Sequence, residues 1–298
     1  MAAPDAPRHR MLLIGVRLAL APEGPRSALH LADFLGGVVH GGVEHLIRCH
    51  APTIAADLGM GIPNRIKPYA ILPPPFGWRP QPDTTTPHLP FGLALHGDAV
   101  RHAEALAHAL AGWREVRCAG LVDRVRGIEL SVGQPAGAQA GWSPGQPFPT
   151  LSDNPALARF PAQGLLSIRF LTPLRLTDAS RPPGLLKLVR ALRRRVEQTS
   201  PALFAQLAGT DWVCHEEAIR RLEADSPDWH PVEWRYGSRT KDAPIGFRGH
   251  LGTLRYRAPT AHPIPGPIHT LLRWGTWFGI GERTALGQGM YLLQEGTP

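Results

Sequence analysis

Apolar residues change period along the chain, and each change marks an element. Met11 to Leu20 (MLLIGVRLAL) is almost continuously apolar and predicts a buried strand. The turn residues Pro22, Glu23, Gly24 and Pro25 close it. Ser27 is a candidate N-cap for a helix running to about Arg48, with an apolar stripe of Leu31, Leu35, Val38, Gly42 and Leu46. Gly36-Gly37 and Gly41-Gly42 weaken that helix, so either something approaches closely or packing compensates. Ile66 to Leu72 and Phe91 to His96 read as strands, separated by a proline-rich excursion that begins at Pro73-Pro74-Pro75. Asp98 starts a helix to about Gly112, and Arg124 to Val132 alternates as a fourth strand. The order is β-α-β-β-α-β, the ferredoxin-like plan.

Residues 136–163 are mainly Pro, Gly, Ala and Gln, with Trp142 and Phe148 as large anchors, and read as a linker. The plan then repeats. Leu165 to Leu176 is a strand bent at Pro173, and a helix runs from Leu185 to about Gln198. A short helix, Glu216 to Ala224, reads as an insertion. Val232 to Lys241 and Ile245 to Arg257 form a hairpin. A helix from Pro267 to about Thr276, a glycine-rich turn and a strand from Thr284 to Leu293 complete the unit. The expected architecture is α+β: two tandem ferredoxin-like domains, 1–135 and 164–298.

Charge changes the picture next. The chain carries a formal +8 and a pI near 10.1, and all its basic residues except Lys67, Lys187 and Lys241 are arginine. Arginine's planar fork grips phosphate and stacks on bases. A GC-rich genome accounts for the Arg preference but not for the net charge, which points to a polyanionic partner. Cys49, Cys118 and Cys214 have no metal-ligand spacing and fit a reducing cytoplasm. The N-terminus does not read as a signal peptide, and no apolar stretch is long enough to span a bilayer, so no membrane partner is expected.

Three basic segments could meet RNA. In the helix from Leu185, the stripe Leu185, Leu188, Val189, Leu192 and Val196 is core; Lys187, Arg190 and Arg194 share another face, with Arg193 and Arg195 beside them. In the hairpin, Arg235, Arg239 and Lys241 point together around Trp234 and Tyr236, and Arg248 lies on the facing strand. Each could also be a plain solvated face. The third is Gly279-Ile280-Gly281-Glu282-Arg283-Thr284-Ala285-Leu286-Gly287-Gln288-Gly289. Its four glycines would let backbone N–H groups approach phosphate, with Arg283 assisting. A helix before the loop and a strand after it reverse the order of a dinucleotide-binding unit, which sets aside the nucleotide-enzyme reading.

Gly279, Gly281, Thr284, Gly287, Gly289 and Tyr291 match the pattern GxGxxTxxGxGxY. With Leu171 to Leu176 (LTPLRL), Glu233 to Arg239, Lys67-Pro68-Tyr69 with Pro73-Pro74, and Phe91 to Ala99, the chain resembles the CRISPR precursor-RNA processing endoribonucleases of the RAMP superfamily. The resemblance implies a metal-independent endoribonuclease that needs no cofactor. It would bind CRISPR repeat RNA, cut it to mature crRNA, leave a 2′,3′-cyclic phosphate and retain the product. It also implies a catalytic histidine in or near the first helix. His40 is the first candidate, then His45 and His30, with Arg26 or Arg48 as the cation; relatives that use Arg or Tyr instead keep Arg26 and Tyr236 open. The alternative is a non-cleaving RAMP subunit that holds crRNA beside other subunits of a crRNA-guided effector complex.

Overall fold

The computed structural model describes residues 11–23, 27, 29, 32–62, 65–80, 86–118, 120–134, 139–147, 165–176, 181–236, 245–258 and 264–296. Arg26, His30, Arg239 and Lys241 lie outside the described residues, as does the side chain of Tyr236.

Period-2 alternation builds the first sheet. In β1 (Met11–Pro22) Leu12, Ile14, Val16, Leu18 and Leu20 are buried on one face. α1 (Gly36–His50) and α2 (Pro52–Asp57) lead to β2 (Tyr69–Leu72), β3 (His88–His96), α3 (Ala103–Ala111), β4 (Glu115–Cys118), β5 (Leu121–Gly133) and β6 (Gln139–Trp142). Val39, Val43 and Ile47 of α1 and Leu106 and Leu110 of α3 pack with the β1 stripe in one core. The sheet runs β2-β3-β1-β5-β4, with β6 also on β5, and every pair is antiparallel. Its central order, β2-β3-β1-β5, is that of a ferredoxin-like unit.

Several sequence expectations shift here. Ser27 does not cap α1: its hydroxyl donates to buried Asp123 and accepts from Leu29 N, and α1 begins at Gly36 without a side-chain cap. β4, unforeseen, forms a tight hairpin with β5. β6 falls inside the segment read as linker, and Trp142 seats it in the core.

The second unit contains β7 (Leu165–Phe170), α4 (Leu185–Thr199), α5 (Pro201–Phe204), α6 (Trp212–Ile219), β8 (His230–Tyr236), β9 (Ile245–Leu251), β10 (Thr253–Arg257), α7 (Gly266–Phe278) and β11 (Tyr291–Gly296). β7 lies between β10 and β11, while β8 and β9 form a separate two-stranded ribbon. The expected single strand from Ile245 to Arg257 therefore bends. Gly252 makes the bend, at φ 136°, where a Cβ would meet Asp228 O at 2.7 Å. The last strand starts at Tyr291 instead of Thr284; Thr284–Leu286 is a 3₁₀ turn, with Ala285 packed on the first core.

The outer face of the first sheet is covered by the second unit. Ala70 and Ala94 are register partners there and pack against Met290. Small side chains at those positions admit the close approach. Beside them the rings of His96 and Phe278 stack at 3.9 Å, both fully buried. Neither ring nitrogen of His96 has a partner among the described residues. Burial, and secondarily Arg195, hold its pKa well below the ordinary 6.5.

That depression has a testable sign. Below about pH 6.5 the unfolded chain binds a proton that folded His96 refuses, so its contribution is full above that pH and lost below it, at about 1.4 kcal/mol per unit. The urea midpoint should fall between about pH 7 and pH 5.5, and His96→Phe should make that fall shallower. An equal slope in the variant would place the sensitivity elsewhere. No helix among the described residues is long and apolar enough to cross a membrane.

Candidate active site and RNA interface

α1 carries the central group of the site. Gly36, at its first turn, is pressed against the glycine-rich loop: a Cβ there would lie 2.2 Å from Leu286 O. Gly42 meets the Trp113 ring in the same way. The glycine pairs that weaken the helix in isolation thus admit two close neighbours. His40 follows Gly36 by one turn, on the same face. Its side chain is 13% exposed.

Three polar side chains surround His40. Nε2 is 3.5 Å from Glu44 Oε1 and 3.5 Å from the Tyr69 hydroxyl. The Tyr69 hydroxyl donates to the same Glu44 oxygen at 3.4 Å, and the Tyr69 ring lies nearly parallel to the imidazole. Lys67 Nζ donates to Gly59 O and, at 2.6 Å, to Ile62 O, which fastens the segment entering β2. From the second unit, Arg195 of α4 donates to Tyr69 O at 3.2 Å. Burial lowers the His40 pKa, Glu44 opposes this and Lys67 adds to it. Burial and Glu44 keep the Tyr69 hydroxyl protonated. Burial brings Arg195 down to about 10, still a cation near neutrality. The cluster offers a neutral imidazole, suited to accept a proton, in a largely dehydrated setting.

His45 points elsewhere. It is exposed, contacts Cys49 Sγ at 3.8 Å and lies near Glu115 of β4. Five residues on from His40, it faces away from the inter-unit junction. His30 and Arg26 carry no structural account.

The glycine-rich loop reaches α1 at one end and the ribbon at the other. Its path needs glycine. Gly289 has φ 69° and a Cβ there would fall 1.8 Å from Ile280 O; Gly281 has φ 91°, with Arg175 O at 2.4 Å. Its amides are largely committed. Gly279, Gly287 and Gly289 donate to Gly275 O, Thr284 O and Pro173 O, and Glu282 N donates to Arg175 O. The amides of Gly279, Gly287 and Gly289 are thus engaged within the chain, with α7, the 3₁₀ turn and Pro173 respectively. Arg283, in the left-handed region at φ 56°, lays its guanidinium 4.8 Å over the Phe247 ring of β9.

Between the segment Leu174–Leu176 and the ribbon lies an open groove of about 830 Å³, lined by Asp33, Arg175, Glu233, Trp234, Arg235 and Phe247, among others. Trp234 and Phe247 in its lining belong to an aromatic cluster with Phe34. Arg175 pairs with Glu282 at 2.8 Å and Arg248 with Glu233 at 2.6 Å, both partly exposed. Such pairs are worth little in water and can be exchanged for phosphate. Arg235 is exposed and has no ion-pair partner among the described residues.

The α4 cations divide. Arg190 and Arg193 both hold Glu216 of α6, at 2.7 and 3.1 Å, and Arg193 also covers the Trp212 ring at 4.7 Å. Arg195 turns inward. Lys187 and Arg194 remain at the surface. The single basic face expected of this helix is thus split among an insertion, the junction and solvent. Glu44 was not singled out from the sequence, although its spacing of four residues from His40 on a predicted helix was readable; Lys67 and Tyr69 entered only through the resemblance and Arg195 only as a flank of the basic helix.

Residues 168–291 match the family described as CRISPR-associated endoribonuclease Cas6. Among solved structures, a Cas6 product complex is similar at TM-score 0.56 and 16% identity, over 95% of this chain and 100% of that one. Thermus thermophilus Cas6 is similar at TM-score 0.53 and 17% identity, over 96% and 99%. A histidine-to-alanine mutant of a Cas6 reaches 0.52 and 20%, over 96% and 100%. No curated protein matches in sequence. At these identities the structures carry the fold, and the matched segment holds the ribbon, α7 and the glycine-rich loop. The second unit thus matches the CRISPR-associated endoribonuclease Cas6 family model, and the chain as a whole has the fold of solved Cas6 structures.

Proposed function

We propose that the chain binds a hairpin of CRISPR repeat RNA and cleaves precursor crRNA, with His40 as the catalytic residue. The observation that carries this reading is the position of His40, dehydrated yet not sealed, against Glu44 and Tyr69 and one helical turn from Gly36, where α1 meets the glycine-rich loop. The similarity to a Cas6 product complex, and to a Cas6 mutated from histidine to alanine, agrees with it.

In the proposed reaction the neutral imidazole takes the proton of a ribose 2′-hydroxyl. The 2′ oxygen bonds to the adjacent phosphorus and the P–O5′ bond breaks. The 5′ oxygen leaves with a proton from the imidazolium just formed or from water. The products are a 2′,3′-cyclic phosphate and a 5′-hydroxyl, and no metal is required for proton transfer of this kind. Arg235, Arg248, Arg175 and Arg283 would hold the phosphates, Lys187 and Arg194 would add long-range attraction, and the product would stay bound. Association with other subunits of a crRNA-guided complex is part of the same reading.

The test is incubation of the purified protein with its repeat hairpin in excess EDTA. A single cut leaving a cyclic phosphate is expected. Tight binding without a cut would make the chain a non-cleaving RNA-binding subunit, and a cut that EDTA abolishes would refute the metal-independent route.

A further inference from the structure

We propose that Glu44 is a positioning residue for His40: its carboxylate holds the imidazole by Nε2 and leaves Nδ1 to face the reacting 2′-hydroxyl. The proposal rests on the assignment of His40 above. Glu44 and His40 are four residues apart on α1, so the helix itself sets their approach. Glu44 is fixed from two further sides, since its Oε1 also accepts from the Tyr69 hydroxyl at 3.4 Å and from Gly61 N at 3.3 Å. The Glu44 side chain is 19% exposed, so the contact is only partly screened. Among the described residues Nδ1 has no hydrogen-bond partner. A carboxylate that accepts Nε2–H makes Nδ1 the unprotonated nitrogen and stabilises the imidazolium once a proton has moved. The 3.5 Å separation is at the long limit of a hydrogen bond, as is common before substrate binds.

The groups around the imidazole are Glu44 on its own helix, Lys67 and Tyr69 on the β2 segment, and Arg195 of α4 behind Tyr69. The 3₁₀ turn packed on α1 from the glycine-rich loop, Thr284–Leu286, has no charged side chain. Lys67 and Glu44 act on His40 in opposite senses, so Glu44 is the anionic group that favours the protonated imidazole.

The experiment compares wild type, Glu44→Gln, Tyr69→Phe and His40→Ala in the full chain with repeat hairpin RNA. Single-turnover cleavage is followed against pH, and the His40 ring is titrated by NMR in the free protein. Glu44→Gln keeps an amide oxygen for Gly61 N and the Tyr69 hydroxyl, so folding and hairpin affinity should persist. Cleavage should fall by about tenfold or more, and the acidic limb of the profile and the His40 titration should both move down by about one pH unit. Tyr69→Phe, which keeps the carboxylate, should leave the titration near its wild-type position or above it. If His40→Ala stops cleavage while Glu44→Gln changes neither rate, limb nor titration, the positioning role is wrong and the His40 assignment stands. If His40→Ala cleaves normally, that assignment falls, and the NMR titration still decides whether Glu44 holds the ring.

Discussion

Alanine at position 40 is expected to slow single-turnover cleavage by about 10²–10⁴-fold while hairpin affinity stays within a few-fold of wild type. The asymmetry follows from where His40 sits. Its side chain is mostly buried and touches Glu44 and Tyr69, whereas the cations that can meet phosphate lie on the ribbon, on the glycine-rich loop and on α4. In the proposed reaction, truncation removes the proton acceptor without removing a phosphate contact. It leaves a small void beside the Tyr69 ring on an α-helix that alanine favours. A loss of affinity equal to the loss of rate would mean that His40 binds RNA instead of moving protons. Because burial lowers the pKa of His40, wild-type cleavage should hold its rate to slightly below the ordinary histidine range before declining in acid.

The largest structural effect is expected at Gly289. Gly289→Ala adds a Cβ that would lie 1.8 Å from Ile280 O, and puts alanine at φ 69°. Neither neighbour can move cheaply, since Ile280 N donates to Gly289 O and Gly289 N donates to Pro173 O. Positive φ alone costs a non-glycine residue about 1 kcal/mol or more, and the clash forces the loop open, so a loss of about 3 kcal/mol or more is expected. Thermal and urea melts measure it. Gly246→Ala is the control: no atom lies within 4 Å of its added Cβ, and its melt should match wild type. Hairpin binding by Gly289→Ala should weaken along with the fold. Weakened binding with an unchanged melt would instead mean that the Gly289 position meets RNA directly.

The distance between sequence and structure differs from element to element. β1 and α4 were readable because their periods are unbroken: Leu12 to Leu20 alternate, and Leu185 to Val196 recur at helical spacing. Ser27 misled because a hydroxyl before an apolar run has the form of a cap, and only the chain's return through β5 supplies Asp123 as its partner. Thr284 to Leu286 looked like strand because Ala285 and Leu286 are apolar; Ala285 is apolar to meet the other unit, not a sheet neighbour. For the site, helical spacing could place His40 and Glu44 together but could not bring in Tyr69, which comes from β2, or Arg195, which comes from the second unit. The basic helix was legible as basic and illegible as divided, because Glu216 arrives from an insertion with no periodic relation to α4.

The bend at Gly252 lets one strand answer to two selective pressures. Residues 245–251 pair with β8, touch Leu174 through a bridge at His250 and stand beside the groove, so in the proposed reading their exposed side chains can drift with the stem they meet. Residues 253–257 are register-locked to β7, with Leu254 and Tyr256 in the core, and have no such latitude. Chains of this kind that read different hairpins should therefore diverge up to position 252 and agree beyond it, and grafting the ribbon between them should exchange RNA preference without disturbing the sheet that carries it.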